Sequence, residues 1–233
     1  MPSYKKHVLF SIIMALPFFP DVFYLSLAVL GASMLDMDHD VNRKNLTIMA
    51  LIGMVIALAL YILNLPFLIG LILVVLAMVF YVSKHRGFMH SILGICLISG
   101  FMAVFVMGSR LVLQDFTVPL KLALIFISLV LAFIILNRKL LPVFAVLVSL
   151  GIFLTPNYLL NSMNICYVFS AVLLGCLSHV ILDMSTPAGV RILSPISSRK
   201  YRKKAAFGLF SLWVVVVFIF FVNGGWGSVL QVL

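Results

Sequence analysis

Glutamate is missing from this chain of 233 residues, and its six acidic residues are all aspartate. Charged residues of every kind make up only 9%, against about 25% in an ordinary soluble domain. Cysteine is nearly as scarce: Cys96, Cys166 and Cys176 lie within apolar runs and form no CxxC pair. Each shortage excludes something. An HExxH zinc peptidase needs a glutamate base that this chain does not have. The cysteines read as small residues packed between helices and do not report a redox compartment. With so few charges, no soluble fold can hide a chain that is 64% hydrophobic with mean hydropathy +1.28. The solvent must be lipid.

What is present follows the membrane pattern. The net charge of +10 comes from short basic clusters between apolar runs, where Lys and Arg fix the orientation of spans. No soluble domain exists to present a groove-reading element, so no nucleic-acid partner is expected. The run Arg199 to Lys204 reads as an anchor to anionic headgroups. Near the N-terminus, Lys5 and Lys6 before the apolar stretch from Val8 resemble a signal peptide. Pro17, Pro20 and Asp21 break that stretch without a clear cleavage site, so it is expected to stay as a first membrane segment.

Cut at charges and prolines, the chain yields segments 7–19, 20–35, 45–63, 65–83, 89–108, 117–136, 140–155, 164–182 and 205–222. A full span needs about 20 residues, so the first two and the seventh are short, and the first two can form a hairpin that enters and returns. The expected fold is all-α: a polytopic transmembrane bundle of about seven to nine segments, one integral membrane domain over residues 1–233. Threading nine spans from a cytoplasmic N-terminus leaves only Arg110 and Lys121 on the far side. Lys5, Lys6, Arg43, Lys44, Lys84, Arg86, Arg138, Lys139, Arg191, Arg199, Lys200, Arg202, Lys203 and Lys204 fall in the cytoplasm. That asymmetry is the positive-inside rule obeyed. The same threading puts His7, Asp36, Asp38, His39, His85, His90, His179 and Asp183 at one depth, as a single site requires.

Three constellations carry the chemistry. Asp36-Met37-Asp38-His39-Asp40 follows an apolar helix and can aim two carboxylates and an imidazole at one point. Its plain alternative is a solvated loop neutralised by Arg43 and Lys44. Such mixed oxygen and nitrogen sets suit Zn, with Mn or Fe as alternatives. In Lys84-His85-Arg86-Gly87-Phe88-Met89-His90-Ser91, the two histidines can converge across a turn at Gly87, and Arg86 can hold a phosphate or carboxylate. Interfacial histidines flanking a helix start are the alternative. His179 and Asp183 share one helix face a turn apart, suited to one ion or to Asp183 orienting the imidazole, before Pro187 and Gly189 end the helix. A helix-end pair without an ion is the alternative there. Ser91 and Ser178 adjoin histidines, but neither sits in a GxSxG elbow. Carboxylates near the hydrocarbon boundary are costly, and their concentration in a chain so poor in acids points to a polynuclear metal site.

At these residues the sequence resembles the YdjM-like family of inner-membrane, metal-dependent hydrolases of bacteria and archaea. The stretches that carry the resemblance are Lys6 to Ser11, Leu35 to His39, His85 to Ser91, Leu174 to Asp183, Thr186 to Val190, and Pro195. Met89 and Asp40 depart from the family's usual Thr and Pro, and residues 95–165 form a long apolar insertion between the motifs. The resemblance implies a multi-pass protein of a bacterial inner or archaeal plasma membrane. It also implies hydrolytic activity and a ligand or catalytic set of His7, Asp36, Asp38, His39, His85, His90, His179 and Asp183.

The sequence reading is a membrane-embedded hydrolase holding one or two divalent ions. His85 or an unligated aspartate such as Asp36 serves as base. Arg86 stabilises negative charge, with Arg191 as helper. A site at headgroup level suggests a membrane lipid or other amphiphilic ester or phosphoester as substrate. The rival reading is a metal- or proton-coupled transporter, whose polar groups belong near mid-membrane on broken helices.

Overall fold

The computed structural model describes residues 4–38 and 43–225. Ten α-helices are present among them: α1 Tyr4–Ala15, α2 Val22–Met34, α3 Arg43–Ile62, α4 Leu68–Val82, α5 Ile92–Asp115, α6 Leu120–Ile135, α7 Leu141–Leu154, α8 Asn157–Asn161, α9 Ile165–Met184 and α10 Lys203–Val222. Each of the nine apolar segments coincides with one of these helices, and only the five-residue α8 was unexpected. Backbone groups in lipid must pair within the chain, and helices achieve this residue by residue. Local chemistry sets several starts. The Asp21 carboxylate accepts the Tyr24 amide at the head of α2, Ser91 accepts from Gly94 at α5, and Asn164 accepts from Cys166 at α9.

Helices α3, α5, α9 and α10 are long and apolar enough to cross a membrane. Helices α4, α6 and α7 are shorter but equally apolar. At 12 and 13 residues, α1 and α2 are too short to span alone. They fold back on each other at Pro17–Pro20, and α2 lies almost wholly buried against α9. The contact is close because a Cβ on Gly31 would strike the Val172 carbonyl, and one on Gly175 would strike that of Ala28. Small residues at a crossing let two backbones approach, which is how helices associate without a hydrophobic drive.

Around this pair stand α1, α5, α6 and α7, while α3 and α4 pack together at one side. Helix α10 leans on α1 through the Trp213 indole, which donates to the Met14 carbonyl, and buries little except Ala206. Large apolar side chains such as Val82, Leu154 and Phe207 face outward, as a bilayer solvent permits. The short α8 aside, consecutive helices alternate in direction, so one end of the bundle gathers the starts of α1, α3, α5, α7 and α10 and the ends of α2, α4, α6 and α9. That end carries all the described histidines and the aspartates Asp36, Asp38 and Asp183.

Candidate metal centre

Short connectors deliver the side chains. A 3₁₀ turn over Leu35–Asp38 continues from α2 and carries Asp36 and Asp38. A turn at Arg86, whose φ is +60°, and Gly87 leads into a second 3₁₀ turn, Phe88–His90, that drops His90 into the interior. Helix α1 contributes His7, and the last turns of α9 contribute His179 and Asp183. Behind them, residues 185–202 fold into a loop held by paired Val190 and Tyr201 backbones and by Ile92 donating to the Ile192 carbonyl. This loop explains the Thr186-to-Val190 pattern: Gly189 takes a φ of +66° that a side chain would resist.

Two triads form. In the first, His7, His179 and Asp183 offer ligand atoms that all lie within 4.8 Å of one another; in the second, Asp38, His85 and His90 do the same. His90 joins them, with Nδ1 3.3 Å from Asp38 Oδ2 and Nε2 3.9 Å from Asp183 Oδ2. Within the first triad, His179 Nε2 stands 3.8 Å from Asp183 Oδ2, His7 Nε2 3.9 Å from Asp183 Oδ1, and the two imidazoles stack at 3.9 Å. Asp36 Oδ1 lies 3.7 Å from His179 Nε2, at the rim. The described members of the sequence-predicted set therefore form one cluster; His39 lies outside the described residues.

Does the cluster fit an ion? Separations of 3.7 to 3.9 Å are too long for hydrogen bonds. They lie within the roughly 4 Å that two ligands bonded at about 2.0–2.2 Å to one ion span. Both ring nitrogens of His90, both of His179, and Asp183 Oδ2 are buried without hydrogen-bond partners. Buried polar atoms are nearly always paired, so these gathered donor atoms are ones that a metal ion could satisfy. The donor set fits a divalent transition ion of the zinc type.

Arg86 donates to Asp183 Oδ1 at 2.9 Å and to the Thr186 hydroxyl at 3.1 Å, so its guanidinium is engaged with a carboxylate of the cluster. The Arg191 side chain is exposed. Ser91 and Ser178 are engaged with the Phe88 and Gly175 carbonyls, so their hydroxyls serve the helices. The outer groups are electrically distinct. Burial, with the Asp183 charge nearby, pushes the Asp36 carboxyl up to about 6. Burial would also raise Asp38, but the His85 hydrogen bond and the closeness of the His85 and His90 imidazoles hold it below its ordinary value. The 2.7 Å bond to Asp38 in turn raises His85.

Two polar cavities reach the cluster. One of about 360 Å³ touches Asp38 and His85 and is flanked by Arg43 and Lys84. The other, about 280 Å³, touches Asp36 and is walled by Tyr4, Asn45, Asn137 and Arg138. Sequence reasoning missed Tyr4 and Asn137, whose hydroxyl and backbone N–H meet at 3.4 Å, because no spacing links residues so far apart.

No curated protein and no solved structure matches the chain. A family profile described as YdjM inner membrane protein matches residues 1–232. With that match, and with buried His/Asp groups able to hold a metal ion at one end of an apolar helical bundle, the chain belongs to the YdjM family of multi-pass inner membrane proteins.

Proposed function

We propose that this protein is a membrane-embedded, metal-dependent hydrolase whose site opens at the cytoplasmic headgroup level and acts on an amphiphilic ester or phosphoester. The observation that carries the reading is the convergence of two His/Asp triads with unsatisfied, buried ligand atoms. His7, His179 and Asp183 would hold one ion, and Asp38, His85 and His90 a second. When bound, such ions supply Lewis-acid activation of water and of the scissile bond. Asp36, with its carboxyl near 6 and its side chain 28% exposed, takes a proton from the attacking water. His85 is less suited to that task because it is engaged with Asp38. Arg86 and Thr186 keep Asp183 oriented, and Arg43 and Lys84 meet an anionic group entering the larger cavity.

The nine-segment threading, the cytoplasmic placement of the N-terminus and the lipid-like substrate belong to this proposal. The basic residues support the orientation, since nearly all of them flank the end of the bundle that carries the cluster. The buried polar side chains deeper in the bundle, such as Ser99 and Ser128, are not ionisable. A transport path needs ionisable groups at that depth, which favours the hydrolase over the transporter.

The test is metal content of detergent-purified protein by mass spectrometry, followed by a substrate screen. One or two equivalents of Zn, Mn or Fe in the wild type, reduced in His179→Ala and in Asp38→Ala, are expected. A protein that stays metal-free after reconstitution removes the mechanism. Turnover confined to water-soluble esters removes the amphiphile.

A further inference from the structure

At the end of the bundle away from the triads lies a second built site. A cavity of about 580 Å³ sits between the α1–α2 turn, α8, α9 and the end of α10. Its walls are aromatic. Phe19 packs on Tyr24 at 5.1 Å, and the Tyr167 ring meets Tyr24 at 6.1 Å and Phe19 at 6.4 Å, both edge-on. Phe220 adds a ring from α10. The polar groups on this lining are the Asp21 carboxylate, the Tyr24 hydroxyl and hydroxyls such as that of Ser162.

The fold explains Asp21 as the cap of α2; what it leaves over is the charge of that carboxylate and the hydroxyl of Tyr24. Tyr24 is only 7% exposed, and its hydroxyl has no hydrogen-bond partner, the Asn164 backbone N–H lying nearby but outside bonding geometry. Asp21 accepts the Tyr24 amide through Oδ1, yet no described Lys, Arg or His forms an ion pair with it. Arg110 acts on Tyr24 from α5 but is not part of the lining. Negative charge at one point and π faces around it are the two elements that recognise an organic cation. A small metal ion would instead favour several carboxylate or carbonyl ligands, and this lining holds one carboxylate.

We infer that this cavity binds the ammonium group of an amphiphile, with Asp21 as counter-charge, the Phe19, Tyr24 and Tyr167 rings around the cation, and the apolar remainder holding the tail. The site is separate from the metal centre and does not depend on its chemistry.

The test uses the full chain, immobilised in uncharged maltoside micelles, with radiolabelled dodecyltrimethylammonium as probe. One saturable site per chain is expected. Asp21→Asn keeps the helix cap, because Asn caps as well as Asp, and should weaken binding about tenfold or more. Tyr167→Leu keeps an apolar wall without a π face and should weaken it about threefold. Gel-filtration profile and thermal midpoint report folding independently, and Tyr167→Leu carries the test if Asp21→Asn fails to fold. Displacement by tetramethylammonium assigns the ammonium alone as ligand. Lack of displacement, with Asp21→Asn still impaired, assigns the tailed amphiphile. Binding that does not saturate, or folded Asp21→Asn and Tyr167→Leu proteins that bind like wild type, overturns the inference.

Discussion

The two triads use the same residue types and differ in how they are held. His7, His179 and Asp183 sit on α1 and α9, all buried, with every imidazole-to-carboxylate distance near 3.8 Å. Asp38, His85 and His90 sit on turns between helices, and there Asp38 and His85 have already closed to 2.7 Å. A triad on helices is held open by packing. A triad on turns can collapse into its own hydrogen bond, and an ion must reopen it. The first should therefore bind its ion more tightly, since preorganised ligands need no rearrangement.

His90 is the sharpest way to break the comparison because it touches both triads. His90→Ala should remove nearly all bound metal, measured by mass spectrometry after gel filtration. Single-triad changes come next. Asp183→Asn should lose the tightly held ion, whereas Asp38→Asn should lose only the weaker one, resolved by stepwise chelator titration. Equal affinity at both triads would contradict the distinction between helix-borne and turn-borne ligands.

Arg86→Gln acts through Asp183 rather than on an ion. It should lower affinity at the first triad about tenfold, the usual cost of losing a partner that orients a ligand, and leave the second unchanged.

The smallest effect concerns Asp36 and has a definite sign. Its folded carboxyl lies near 6, above its ordinary value of 3.8, so the ionised form is penalised in the folded state at neutral pH. That penalty fades as pH falls through 6 and is gone below 3.8. Asp36→Asn should accordingly stabilise chelator-treated protein at pH 7.5, by on the order of 2 kcal/mol, and not at pH 3.5. Thermal midpoints at the two pH values check it. If the proposed hydrolase reading holds, the same variant should slow turnover, which separates a base from a structural residue.

Much of the site was legible in the sequence because alternating spans carry depth information. A residue at the end of α2 and one at the start of α5 must share a side if the crossings between them are even in number, whatever the packing. The aspartates of 36–38, the histidines of 85–90 and the pair at 179 and 183 could be gathered on that ground alone. Arg86 shows the limit. Its charge suggested substrate binding, but its partner on α9 lies far along the chain, and only the turn at φ +60° aims it there.

By itself the sequence determined the solvent, the helices, their approximate ends and the gathering of Asp and His at one end, because hydropathy and span parity are properties of the chain. The tertiary structure alone decided how those residues divide into two triads, that His7 stacks on His179, that Asp36 stays at the rim, and that segments near residues 20, 160 and 220 enclose an aromatic cavity. The physical reason is that these helices are apolar nearly all round. Periodicity then cannot say which face turns inward, and rotation is set where small residues such as Gly31 and Gly175 let α2 and α9 touch.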